Sequence, residues 1–247
     1  MNSENLREIG EDAIECLDEF GGKYSDVVEK ETPGAPSMPS DYGRRRDLLH
    51  LFLLSQVKYF MPEITERAIE DISAEGAELA VDYFYGDWRE DFDKNDLFEA
   101  PWIDELRFGL VLAVLCSKPD VFRRLIEFPF EELNLDTGGW ELSKSDIQYY
   151  IDFCNSISSG VFGMSGSLKG KRPKMLAHLL KQVFDSNDIE FQTKLETYLI
   201  WFKRNEFDGR GNLLVSLDAS ILVGFARSRG LKFSIPEHLE DMILEQK

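Results

Sequence analysis

Apolar residues recur at three- and four-residue intervals along most of the chain, the spacing that lines one face of an α-helix. The first stripe is Leu6, Ile9, Ala13, Cys16, Leu17 and Phe20, stopped by Gly21-Gly22. A second, from about Arg44 to Met61, carries Leu48, Leu49, Phe52, Leu53, Val57 and Phe60. Pro62 breaks or restarts it, and a third follows through Ile64, Ala68, Ile72, Leu79 and Tyr83. Pro101 opens a helix over Trp102–Cys116, since proline suits a first helical turn. Ser117-Lys118-Pro119-Asp120 connects it to a short helix through Val121, Phe122, Leu125 and Ile126, stopped by Pro129. Later stripes run from Ile147 to Ile157, Met175 to Phe184, Phe191 to Phe202 and Leu217 to Ala226. Ser216 can cap the last of these and Gly230 closes it. A short helix begins near Pro236. No strand-like alternation is sustained. Helices joined by short breaks pack as antiparallel neighbours, so the pattern predicts an all-α fold of helical hairpins in an irregular array, without the period of a named repeat.

The breaks suggest the organisation. Lys30 to Tyr42 contains Pro33, Gly34, Pro36 and Pro39. The chain reads as one all-helical domain over 1–247, with 1–29 a loosely docked N-terminal helix and 30–42 a proline-rich linker. Gly160–Gly170 is rich in glycine and serine. These two loops lack a periodic apolar face and are expected to be the most mobile parts. The run Leu106–Cys116, apolar except for Arg107, is far shorter than the roughly 20 residues of a membrane span and reads as a central core helix.

Charge changes the functional picture. The 247 residues hold 46 acids against 28 Lys and Arg, a net charge of -18, yet 43% are hydrophobic and 18 are Phe. A chain so rich in apolar side chains folds, and a field of that sign repels phosphates and attracts basic surfaces. Nucleic acid is thereby disfavoured and a basic protein partner favoured. Acid concentrates between Asp82 and Glu105, where only Arg89 and Lys94 oppose it. Within it, Asp87, Trp88, Glu90, Asp91, Asp93, Asp96 and Glu99 form the candidate partner-binding stretch. Aromatic side chains beside charge anchor protein interfaces; the same aromatics equally serve to plug the segment onto the core. A segment without acid, Phe153–Phe184, carries Lys169, Lys171, Arg172, Lys174 and Lys181. It reads as a solvated helix start, with a docking patch for an acidic ligand as the alternative.

Chemical motifs are sparse. Asp136-Thr137-Gly138 repeats a protease triplet, but that chemistry needs two such loops on strands, and one copy in a turn is ordinary turn chemistry. Gly166 to Lys171 is one residue short of a phosphate loop and has Arg172 where Ser or Thr should stand. Asp91, Asp93 and Asn95 begin a calcium loop that fails at Asp96 and Trp102. His50, His178 and His238 have no metal-ligand spacing. Cys16, Cys116 and Cys154, an odd and scattered set in apolar stripes, fit a reducing cytoplasm and core packing. The polar N-terminus Met1-Asn-Ser-Glu-Asn lacks the apolar run of a signal peptide. No cofactor, metal, membrane or catalytic residue is expected.

Two segments carry a family resemblance. Ala100-Pro-Trp-Ile-Asp-Glu-Leu-Arg-Phe-Gly-Leu-Val-Leu-Ala-Val-Leu-Cys-Ser-Lys-Pro-Asp, with Leu125-Ile-Glu-Phe-Pro129, has a Trp, an apolar helix, a small-polar turn with Asp, and a short helix ending in proline. Leu217-Asp-Ala-Ser-Ile-Leu-Val-Gly-Phe-Ala-Arg-Ser-Arg-Gly230-Leu, leading to Ile235-Pro-Glu, is its companion. Together they resemble immunity protein family 49 of bacterial polymorphic toxin systems over about a third of the chain. The resemblance implies an all-helical, non-enzymatic cytoplasmic protein that protects its producer by binding a partner toxin. A basic toxin would be met quickly by an acidic inhibitor through electrostatic steering. A helical-array adaptor binding a peptide in a groove is the alternative, and an enzyme with an unrecognised helical active site is a third.

Overall fold

The computed structural model describes residues 3–20, 40–86, 103–133, 143–206 and 215–245. Among them are nine α-helices: α1 (Ser3–Phe20), α2 (Ser40–Phe60), α3 (Ile69–Tyr85), α4 (Ile103–Leu115), α5 (Pro119–Ile126), α6 (Lys144–Ser159), α7 (Lys171–Phe184), α8 (Asp188–Asn205) and α9 (Leu217–Ser228). Three 3₁₀ turns, at Pro62–Ile64, Phe130–Glu132 and Glu237–Met242, complete them, and the described residues contain no strand. The protein is all-α, as the apolar stripes predict.

Local chemistry places the ends. Ser143 caps α6 with a full capping box: its side chain accepts from the Asp146 amide, and Asp146 accepts in return from the Ser143 amide. Asn187 and Ser216 cap α8 and α9 through the Glu190 and Ala219 amides. Ser117 and Ser186 take positive φ, both 52°, just past α4 and α7. The amides after them reach back to Ala113 and Gln182, which folds the chain sharply into α5 and α8.

Two expectations need correction. Residues 40–42, read as linker, are the first turn of α2. Ile64 and Ala68, read as part of the third helix, instead occupy a 3₁₀ turn and the N-cap position of α3. Pro62 starts that turn, Thr65 leaves it with extended backbone, and Lys58 Nζ ties it by donating to the Pro62 and Thr65 carbonyls. Gly160–Gly170 is a loop, as its composition predicts, and side chains of α6 tie it down. Ser156 Oγ accepts from the Gly163 amide at 3.0 Å. Asp152 accepts from the Ser165 amide and Ser145 Oγ from the Lys169 amide, both at 2.6 Å, while Leu168 is buried.

Each of α1 to α4 packs on the next, α7 pairs with α8, and α4 also meets α2, α5 and α9. Every residue from Ile103 to Ala113, and Leu115, is buried, so α4 is the enclosed central helix the sequence predicts. Its neighbours come unusually close. A Cβ on Gly109 would lie 2.7 Å from the Ala80 Cβ of α3, and one on Gly224 of α9 only 2.0 Å from Val114 Cγ1. Phe108 stacks on Phe52 of α2 with centroids 4.5 Å apart.

Candidate functional site

Helix α4 carries the only arginine in a run of apolar residues, and that arginine organises a buried polar centre. Arg107 donates to Asp104 Oδ1 one turn back at 2.9 Å, to Tyr150 Oη of α6 at 3.0 Å and to Asp218 Oδ1 of α9 at 3.1 Å. Asp218 also accepts from Tyr150 Oη and, through its other oxygen, from Arg172 Nη2 of α7 at 2.7 Å and Nε at 3.0 Å. Tyr198 of α8 approaches the same oxygen at 3.4 Å and shares a hydrogen bond with the capping Ser216. Asp146 and Glu206 lie 3.9 and 3.6 Å from Arg172 Nε. Five helices thus send charged or phenolic groups to one point in a medium that penalises any unpaired charge.

The centre holds two guanidinium groups and four carboxyl groups, and the surplus acid divides unequally. Burial pushes the Asp218 carboxyl up, but Arg172, Arg107 and the hydrogen bonds from Tyr150 and Arg172 together hold it well below the usual carboxylate range. Burial raises Asp104 and Glu206, which Arg107 and Arg172 respectively offset only in part. The Tyr150 hydroxyl is also raised, chiefly by burial. Asp218 is therefore held as an anion between the two guanidinium groups.

Next to Asp104 in the chain, a further buried carboxyl faces α2. Glu105 accepts from Arg45 Nε of α2 at 2.5 Å, and its other oxygen has no hydrogen-bond partner. Burial pushes Glu105 up from 4.5 to about 7, with Arg45 opposing. The folded state then keeps a proton that the unfolded chain releases, so this group's contribution is fully present below the unfolded pKa and is lost as pH rises through about 7. Glu105→Gln, which cannot ionise, is expected to flatten the loss of stability between about pH 5 and about pH 8, read from urea denaturation. An undiminished slope would place the ionisation elsewhere.

None of these groups lines a cleft of about 700 Å³ between α4, α5, α6 and α9. Its wall includes Val114, the one residue of α4 that is not buried, with Phe122, Ile126, Ile157 and Phe225. Phe122 and Phe225 lie nearly parallel at 6.3 Å between centroids. Lys118, Arg123, Glu127, Arg227 and Glu245 line it as well. A concavity with apolar and charged groups side by side is a binding geometry.

Asp87, Trp88, Glu90, Asp91, Asp93, Asp96 and Glu99 lie outside the described residues, as does the Asp136-Thr137-Gly138 turn. The ends of the acidic stretch are described, and they are paired. Asp82 accepts from Arg44 at 2.5 Å, Glu105 from Arg45 and Asp104 from Arg107. The sequence places only Arg89 and Lys94 against this acid because cations from α2 are distant in the chain and near in space. Arg172, read as part of a solvated basic start, instead turns inward to Asp218; its side chain is 17% exposed. The described residues contain no group of three or more His, Cys, Asp and Glu that could hold a metal. None of the three cysteines is in a disulfide; Cys154 is buried and the others are half-buried. No described helix is long and apolar enough to cross a membrane. No family model, curated protein or solved structure matches the chain.

Proposed function

We propose that this chain is a non-enzymatic cytoplasmic immunity protein that binds and neutralises a partner bacterial toxin, itself a basic protein. The observation that carries the reading is the meeting of the two segments that bear the family resemblance. They are distant in sequence, yet α4 and α9 pack together, Gly224 seats Val114, and Arg107 and Asp218 form a buried ion pair. The same two segments supply most of the cleft wall. A likeness split between two places gains weight when both belong to one structural unit. The net charge of -18 supports a basic partner. The cleft equally favours a second reading, an adaptor that takes a peptide.

The decisive experiment joins co-purification from the native host to growth assays. The tagged protein is expected to bring down a basic toxin in one-to-one complex, and co-expression to restore growth. Recovery of no toxin together with no protection would end the immunity reading and leave the adaptor.

Charge and aromatic residues should act on different steps. Asp87→Lys, Glu90→Lys, Asp91→Lys and Asp93→Lys combined are expected to slow association about tenfold at low salt and to flatten its salt dependence. Trp88→Ala is expected to speed dissociation. Stopped-flow binding reads both, with denaturation curves as the control for folding. A folded charge-reversed protein with an unchanged on-rate would make the stretch a solvated loop.

A further inference from the structure

We propose that α1 is held by a pH-sensitive catch at His50 and lets go of α2 as the medium is acidified. The catch works whatever partner the chain binds. Helix α1 packs on α2 and on the 62–64 turn. A Cβ on Gly10 would lie 2.9 Å from Val57 Cγ1 and 2.7 Å from Ile64 Cγ1, so the two helices touch there. Ala13 is buried in one cluster with Leu51, Leu53, Leu54 and Ile72. Gly10 against Val57 and Ala13 with Leu54 set α1 and α2 antiparallel. His50, four residues before Leu54 and seven before Val57, continues the same face of α2 and comes opposite the last turns of α1. Charge adds little to this seat. Arg7 reaches Glu11 and Glu63 at 3.9 Å through side chains more than half exposed, and such pairs contribute little.

His50 interrupts the apolar face. Its ring is half-buried, and Nδ1 is enclosed without a hydrogen-bond partner. A neutral imidazole tolerates this at modest cost. An imidazolium must donate from both nitrogens and finds no acceptor at Nδ1. Burial first, and then Arg46, hold the imidazole below its ordinary 6.5, while Asp47 and Asp12 pull the other way. Asp47 already accepts from Arg46 at 2.7 Å, and Asp12 is exposed on α1. The sides of α2 toward α3 and α4 run through Leu51 and Phe52. Asp82 and Glu105, which those helices bring to α2, accept from Arg44 and Arg45, and Glu63 of the 62–64 turn faces Arg7. Once α1 leaves, Nδ1 meets water and can take a proton. Docking is therefore complete above about 6.5, where His50 is neutral in both states, and weakens as pH falls through that value.

Hydrogen exchange of the full chain, read by mass spectrometry as protection factors corrected for the intrinsic pH dependence of exchange, tests the catch. Between about pH 7.5 and about pH 5.5 the protection of α1 is expected to fall about three- to tenfold, about tenfold being the ceiling that one proton sets one pH unit below the ordinary imidazole value. Acidification favours the proton on Glu105, so α4 should keep or gain protection over the same range. His50→Leu, which cannot ionise and continues the face of Leu54 and Val57, is expected to hold α1 equally at both pH values. His50→Gln, polar but not titrating, should show the same pH independence and separates the lost charge from added apolar surface. An apolar fluorescent dye should bind the parent more strongly at the acid pH, as Leu54 and Val57 are uncovered, and His50→Leu should not show this gain. A change in the parent below about twofold, an equal loss of α1 protection in His50→Leu and His50→Gln, or an equal loss in α4 and α8 would each overturn the proposal.

Discussion

Asp218→Ala is expected to destabilise the folded protein by about 3–5 kcal/mol, because it leaves two buried guanidinium groups without their shared anion. Arg107 has a side chain only 3% exposed, and Asp218 itself is 1% exposed. With the carboxylate gone, Arg107 retains Asp104 at 2.9 Å, but Arg172 retains only Asp146 and Glu206 at 3.9 and 3.6 Å. Tyr150 loses the acceptor of its hydroxyl as well. Arg107→Met should cost less, since it removes one cation and leaves Asp218 paired with Arg172. The acid limb offers an independent check. A carboxyl depressed in the folded state stabilises it above the unfolded pKa of about 4, and that contribution is lost as pH falls below it. The parent should therefore lose stability on acidification through that range more steeply than Asp218→Ala. Urea denaturation across pH measures both effects. A penalty below about 1 kcal/mol would mean that solvent reaches the centre and screens it.

The helices were legible because each needs only a local apolar stripe, and stripes survive in sequence whatever they pack against. The capping Ser216 and the terminating Gly230 were legible for the same reason: a cap is a contact within one turn. The polar centre was not. Arg107 stands as the exception in an apolar run and Arg172 as one of several cations at a helix start, while Asp218 carries no local signal at all. Their meaning lies in a convergence across 111 residues between Arg107 and Asp218, and no local spacing encodes it. One signal was present. A permanent cation in the middle of an otherwise buried helix must have an anion facing it, because burial without one is prohibitive. That rule predicts a partner for Arg107 but not its address. The cleft was hidden for a related reason: Val114 reads as one more core residue, and only the packing of α5, α6 and α9 around it forms the concavity.

Leu110→Ala is expected to cost about 2–5 kcal/mol, the range for removing a buried leucine, with the upper part favoured by the surroundings. Leu110 is fully buried on a helix enclosed by α2, α3, α5 and α9. The cost of such a truncation depends on how far the neighbours can close over the void. Here they have little freedom. Gly109, the residue before, already lets Ala80 come within a distance that no added Cβ would allow, and one turn on Val114 is in the same position against Gly224. The stacked Phe52 and Phe108 fix the α2 side. Helices that already touch cannot advance further, so the cavity stays open and its lining loses contacts outright. The slope of the urea transition should remain that of the parent while its midpoint falls. Ile189→Ala on α8, where the side chain is 79% exposed, should stay within about 0.5 kcal/mol of the parent. An unshifted midpoint for Leu110→Ala would show that α4 is not the central helix, and the cleft and the polar centre, both built on it, would lose their common support.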